Sequence, residues 1–425
     1  MGRPGTCLSP ARYFMNQAIV QTHSSSAFPP LHPAAASDES RNALPIVVHC
    51  HLRWDFVWQR PQQIFVRLAA RHRIAFIEEP LADDGETRLA VSEPYPNIVR
   101  IVPFLHGAPK LHVDAQWAAL LPHLQRAFRE HPLLAGRFEH VIHWFYSPMV
   151  APPMLGKFDT AAVVYDCMDE LSKFRFAPPD LPAREAALMA AADVVFTGGY
   201  QLFTRKQRHH RNVHLYGCGV DLAHYAKARA PETQIPADIA SLPRPLFGYF
   251  GVIDERLDYT LIESLADASA CGSVVMIGPY AKVDPATLPQ HANLHWLGQR
   301  DYAHLPAYTK GFDVCLMPFA LNDATENINP TKTLEYMAAG KPVVSTAVAD
   351  VVRHFAPIVQ VGYSHAEFIH LAVRACAQPD TALIARGIRR AGTATWEAIV
   401  DAMREHVLAA VRAKHATAPQ LLVAG

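Results

Sequence analysis

The chain has 425 residues, more than one hydrophobic core usually organises, so two domains are expected. Half of the residues are apolar and 18% are charged, the balance of a globular chain rather than a disordered or fibrous one. Lys plus Arg and Asp plus Glu both number 39, and a formally neutral chain argues against nucleic acid as the main partner, because phosphate backbones are bound by excess positive charge.

The seven cysteines (Cys7, Cys50, Cys167, Cys218, Cys271, Cys315 and Cys376) are scattered and form no C-x-x-C pair. That is the usage of a reducing compartment, not of a disulfide framework. No stretch approaches the roughly 20 apolar residues needed to cross a bilayer, and the opening segment lacks a signal-peptide core. A cytoplasmic protein is expected, with peripheral membrane contact as its closest approach to a bilayer. Residues 1–42, rich in Ser, Pro and Ala, read as a loose tail, as do residues 418–425.

From Pro45 onward, short β-rich runs alternate with longer amphipathic stretches, the pattern of parallel sheets covered by helices. Strands are predicted at Ile46–Cys50, Ile74–Glu78, Ile98–Val102, His140–Phe145, Ala162–Asp166, Val194–Thr197 and Val213–Tyr216. A helix is predicted over Pro61–Ala70. A loose linker over 217–243 follows, long for a loop inside one domain. A second series then runs Leu246–Phe250, Val274–Ile277, Leu294–Leu297, Val314–Pro318 and Pro342–Ser345, placing a second domain over 244–390 after a first over 43–216. The Ala-rich stretch 391–417 is expected to be a helix that packs back towards the first domain. Doubly wound sheets bind ligands at the carboxyl ends of their strands, so two of them suggest a cleft between domains.

The stretch Ala324 to Thr346, A-T-E-N-I-N-P-T-K-T-L-E-Y-M-A-A-G-K-P-V-V-S-T, carries the most chemistry. Asn329 suits an N-cap, Pro330 the first helical position, and Gly340 the helix end. Leu334, Met337 and Ala338 give a buried stripe, while Thr331 and Glu335 share a face beside Lys332. The first-turn N–H groups and Lys332 would suit a diphosphate, and the Glu335 carboxylate could accept hydrogen bonds from two ribose hydroxyls. A capped surface helix with an exposed Lys332–Glu335 pair explains the same residues without a ligand.

This stretch resembles the donor-binding motif of GT-B glycosyltransferases, in particular the retaining glycosyltransferase family 4. The resemblance implies two Rossmann-like domains facing each other across a cleft, a nucleoside-diphosphate sugar donor (UDP or GDP), no cofactor and no catalytic metal. It implies ribose binding by Glu335 and phosphate binding by Lys332. The family's donor-sugar Glu falls on Asn327, with Glu326 one position off. G-C-G-V-D at Gly217–Asp221 resembles the family's interdomain hinge. G-Y-F-G-V-I-D-E-R-L-D at Gly248–Asp258 resembles the first strand-loop of its nucleotide domain, where Gly251 lets the backbone approach the diphosphate. Many relatives carry an Arg after that Gly and a Lys six residues later; here Val252 and Asp258 stand there, and Arg256 is the candidate replacement.

The first domain normally serves the acceptor, a glycan or lipid-linked glycan. H-L-R-W-D-F-V-W-Q-R-P-Q-Q at His51–Gln63 resembles a segment of bacterial exopolysaccharide and teichuronic-acid-type transferases. Trp54, Phe56 and Trp58 offer flat apolar faces and Arg60 a fork for an anion, unless the aromatics merely pack under the helix. V-V-Y-D-C-M-D-E-L at Val163–Leu171 holds Asp169 near the position of a family residue that contacts the donor sugar, and Asp169 is the candidate catalytic carboxylate, with Lys332 and Arg256 stabilising the leaving group. Asp166 reads as a turn cap, and His143 as a further cleft candidate. His49, Cys50 and His51 alternate across a strand, which argues against a shared metal.

Overall fold

The computed structural model describes residues 43–268 and 272–417. The tails expected over 1–42 and 418–425, and Cys7 and Cys271 with them, lie outside the described residues.

Nine strands form the first sheet: β1 (Ile46–Cys50), β2 (Ile74–Glu78), β3 (Leu81–Asp83), β4 (Arg88–Tyr95), β5 (Ile98–His106), β6 (Val141–Phe145), β7 (Thr160–Cys167), β8 (Val194–Thr197) and β9 (Val213–Leu215). Their order is β3-β5-β2-β1-β6-β7-β8-β9, with β4 antiparallel on β5. The second sheet holds β10 (Leu246–Phe250), β11 (Ser273–Ile277), β12 (Leu294–Gly298), β13 (Val314–Met317), β14 (Val343–Thr346) and β15 (Gln360–Gly362), in the order β12-β11-β10-β13-β14-β15. The second sheet thus runs third, second, first, fourth, fifth, sixth, and the first does the same with a seventh strand added, once β3 and β4 are set aside. In each, the order reverses beside the first strand, and the loops leaving that point are the ones that bind ligands in such folds. The fold is the GT-B arrangement expected from the sequence.

Strand periodicity sorts the first core into two layers. Val48 and Cys50 pack with Phe65, Trp144 and Phe196 on one face, while Val47 faces Trp117, Phe145 and Leu188 on the other. The first face is covered by the helices Arg60–Leu68 and Trp396–Thr417, the latter contributing Trp396, Val400, Met403 and Val407. The C-terminal helix therefore crosses back to the first sheet, tied at its start by Arg67 to Glu397 at 2.7 Å.

The segment 217–243, expected to be loose, is folded. It holds the helices Leu222–Ala226 and Ala237–Ala240, and buried Val220, Tyr225 and Ile239 anchor it in the second core. Its start runs beside the return crossing of the chain. Val220 N–H donates to Ala394 O at 2.9 Å and Trp396 N–H to Val220 O at 3.3 Å.

Candidate active site

Between the two sheets lies a cleft enclosing about 1630 Å³ of unfilled space, its open mouth included. Its walls are the loops at the carboxyl ends of both sheets, after β1, β7 and β8 on one side and after β10, β11, β12 and β13 on the other.

The helix that the motif predicted forms, but it begins at Lys332 rather than Pro330 and runs to Ala338. Asn329 does not cap it; Thr331 holds the N-cap position, and the Asn329 carbonyl instead accepts the Cys218 thiol at 3.1 Å. Leu334, Met337 and Ala338 are buried as expected, and Gly340, at φ 73°, follows the helix end. Pro330, Thr331, Lys332 and Glu335 all line the cleft.

Lys332 lies against the backbone of Gly251, with its ammonium 5.5 Å from the centre of the Tyr249 ring. Burial pulls its pKa below the usual lysine range, and nearby Glu335 opposes that shift. Among the described residues no carboxylate lies within ion-pairing distance of Lys332. Burial likewise pushes the Glu335 carboxyl up to about 7, against the pull of Lys332 and of the neighbouring Tyr225 hydroxyl. A lysine and a glutamate one turn apart, both desolvated and both lining a cleft, are a pair that a polar ligand could engage.

Arg256 also lines the cleft, but Asp254 grips its guanidinium at 2.7–3.0 Å. Burial disfavours its charge and Asp254 more than restores it. Facing it, Asp169 is raised by burial, with Arg256 pulling the other way. The loop of Asp169 is pinned by its neighbour Glu170, which accepts from Lys206 at 2.9 Å; Lys206 also reaches Glu185 at 2.7 Å.

Five expectations are corrected by the geometry. Arg60 offers no free fork, because its guanidinium binds Asp166 at 2.9–3.2 Å and the carbonyls of Tyr216 and Gly217 at 2.8 and 3.2 Å. Asp166 is accordingly the partner of Arg60, not a turn cap. Trp54 borders the cleft but is 1% exposed with its ring edge-on to Phe76, so its flat face is spent on core packing. His143 sits in the middle of β6, buried in a layer with His49, Phe145 and Phe158, and is not among the residues lining the cleft. Asn327 is 2% exposed and is not among the residues lining the cleft, while Glu326 turns outward to Arg205 at 2.9 Å.

The sequence reading missed the loop after β12. Gln299, Arg300, Asp301 and Tyr302 all line the cleft. They match no motif; their one signal was a place after a strand at the ligand edge of the sheet.

Two Rossmann-like sheets facing each other over a cleft, with Gly251, Lys332 and Glu335 on its second-domain wall, make up the GT-B fold. Residues 244–374, the greater part of the second domain, match the family described as Glycosyl transferases group 1. A protein of Bacillus subtilis (strain 168) assigned to teichuronic acid biosynthesis as a glycosyltransferase, TuaH, is 26% identical over 227 residues, which are 49% of this chain and 55% of that one. Among solved structures, a sucrose-phosphate synthase from Thermosynechococcus elongatus is similar at TM-score 0.65 and 18% identity, over 87% of this chain and 100% of that one. A trehalose-6-phosphate structure from E. coli bound with UDP-2-fluoro glucose is similar at TM-score 0.59 and 13% identity, over 85% and 98%. Among the described residues no helix is long and apolar enough to cross a membrane.

Proposed function

We propose that the protein moves a sugar from a nucleoside-diphosphate sugar to a hydroxyl of a glycan or glycolipid acceptor, with retention at the anomeric carbon, in bacterial surface or exopolysaccharide synthesis. The observation that carries this reading is the desolvated Lys332–Glu335 pair on one helix, facing the cleft beside Gly251. Lys332 holds the diphosphate and Glu335 the ribose. As the bond to the anomeric carbon breaks, negative charge grows on the diphosphate, and Lys332 and Arg256 stabilise it in a water-poor cleft. Asp169, across from Arg256, stands by the reacting centre, where it accepts the acceptor's proton or steadies positive charge on the sugar. The acceptor enters from the first-domain side. The work is cytoplasmic, with the membrane touched only at its inner face.

Thermal shift and calorimetry with UDP-, GDP- and dTDP-sugars test the donor site. UDP is the first nucleotide to try, given the UDP-2-fluoro glucose in the E. coli structure of the same fold. Absence of binding to any of them ends the reading. A second reading, a sugar-nucleotide-binding subunit without turnover, is favoured by one observation: Asn327 is buried and Glu326 is paired with Arg205, so the carboxylate that relatives aim at the donor sugar is missing. Nucleotide binding without transfer to any polysaccharide-precursor acceptor supports that second reading. The stereochemistry of the product separates retention from inversion, and turnover without an acceptor would point to an epimerase.

A further inference from the structure

The loop after β1 carries aromatics expected to serve the acceptor, yet Trp58 reaches a different part of the cleft. Its ring centre lies 5.8 Å from that of Tyr302, with 33° between the planes. Tyr302 comes from the loop after β12 in the second domain and is fixed on several sides. His224 stacks on it at 4.2 Å and 9°, and its Nε2 lies 3.0 Å from the Tyr302 carbonyl oxygen. Tyr225 stands edge-on at 6.0 Å, and Gln63 Nε2 donates to the Tyr302 hydroxyl at 3.0 Å. A second bond, Gln299 Nε2 to the Phe56 carbonyl at 2.6 Å, joins the same two loops.

The order of groups along the cleft matters here. Lys332 lies against Gly251; Glu335 follows one turn on, beside the Tyr225 hydroxyl. Tyr302 feels the Glu335 charge and stands edge-on to Tyr225, and the Trp58 ring lies next to Tyr302. In a nucleoside diphosphate the base hangs from the ribose carbon opposite the one that bears phosphate. A donor with phosphate at Lys332 and ribose at Glu335 therefore points its base towards Tyr302 and Trp58.

We propose that Trp58 and Tyr302, one from each domain, form the wall against which the donor's nucleobase lies, so that the nucleoside itself joins the two domains. The proposal rests on the donor-site reading above. Every base has a π-face, so the wall strengthens binding of UDP and GDP alike and does not choose between them. Trp58 thereby serves the donor, although it belongs to the domain that takes the acceptor.

Calorimetric titration with UDP, GDP and inorganic pyrophosphate tests this on the full chain, using wild type, Trp58→Ala, Trp58→Phe and Glu335→Gln. Trp58→Ala is expected to weaken both nucleotides about tenfold, the size of one lost base–aromatic stack, and to leave pyrophosphate binding unchanged. Trp58→Phe keeps a flat face and restores most of the affinity, which also separates stacking from misfolding. Wild-type nucleotide affinity in Trp58→Ala, with a raised acceptor KM, overturns the proposal and returns Trp58 to the acceptor. If Trp58→Ala is wild-type while Glu335→Gln binds nucleotide weakly, the inference alone falls. If wild type binds no nucleotide, or Glu335→Gln matches it, the donor-site reading falls and takes this one with it.

Discussion

Lys332 fills the space that a side chain on residue 251 would need. A Cβ built on Gly251 would stand 2.0 Å from Lys332 Cε and 2.5 Å from Nζ, and residue 251 has φ 148°, a conformation that side chains resist. Gly251→Ala should displace the ammonium and weaken nucleoside-diphosphate binding by about tenfold or more, a loss of about 1.4 kcal/mol for each factor of ten. Calorimetry measures it. An unchanged Kd would show that Lys332 can leave its place without consequence.

Glu335 makes donor binding depend on pH. Its carboxyl titrates at about 7 in the folded protein, raised by burial from the ordinary 4.5. Between those values the folded state holds a proton that the unfolded chain has released. The stability from this group is therefore full below 4.5 and lost as pH rises through 7. Ribose hydroxyls need the carboxylate as acceptor, so affinity should move the other way and strengthen from pH 6 to pH 8 by up to about tenfold. A nucleotide sugar is the right probe, because its diphosphate has no terminal phosphate to titrate over that range. Glu335→Gln should bind more weakly and show a flat profile; an unchanged slope would assign the titration elsewhere.

Asp169→Asn should lower kcat by about a hundredfold or more, the scale of a lost general acid–base group, and leave nucleotide affinity nearly intact. The split is expected because Asp169 faces the cleft from the loop after β7, opposite the helix that carries Lys332 and Glu335. Steady-state kinetics with parallel titration of UDP checks it. Wild-type turnover would leave Asp169 a merely buried acid.

Arg60 is expected to matter for stability rather than for binding. Replacing it with Met leaves the Asp166 carboxylate, fully buried, without its partner, and the Tyr216 and Gly217 carbonyls without a donor. Breaking such a pair costs about 3–5 kcal/mol, and replacing both members with apolar residues should recover much of it. Urea denaturation of Arg60→Met and of Arg60→Met/Asp166→Leu measures both. A stable Arg60→Met with only a raised acceptor KM would restore its ligand role.

His143→Phe should keep full turnover. The imidazole is buried among aromatic rings, and neither of its nitrogens has a hydrogen-bond partner among the described residues. Burial holds its pKa well below the ordinary 6.5, and that of His49 down to about 3. Both groups are forced to stay neutral in the folded state, so their contribution is present above pH 6.5 and lost as pH falls below it. His143→Phe should thus resist acid unfolding better than wild type, as read by circular dichroism from pH 7 to pH 4. A loss of turnover at neutral pH with the fold intact would return His143 to the site.

The parts legible in the sequence were those written locally. Five-residue apolar runs such as Ile46–Cys50, Ile74–Glu78 and Leu246–Phe250 are strands with those same bounds. Lys332 and Glu335 could be paired because helix geometry fixes their relation within one turn. β4 was missed because Leu89 and Val91 alternate with exposed residues around Pro94, which reads as an edge or a loop. The segment 217–243 looked like a linker because its anchors, Val220, Tyr225 and Ile239, are single residues without periodicity. Arg60 and His143 were misread for a common reason. Their neighbours lie far along the chain, Asp166 being 106 residues from Arg60, and whether a side chain is left free for a ligand depends on contacts that only the fold supplies.

The two stretches of backbone that pass between the domains lie side by side, with Val220 bonded both to Ala394 and to Trp396. A single strand joining two bodies lets them swing, twist and slide. Two crossings bonded side by side resist sliding and twisting more than one would, so any relative movement of the two sheets has to carry both segments together.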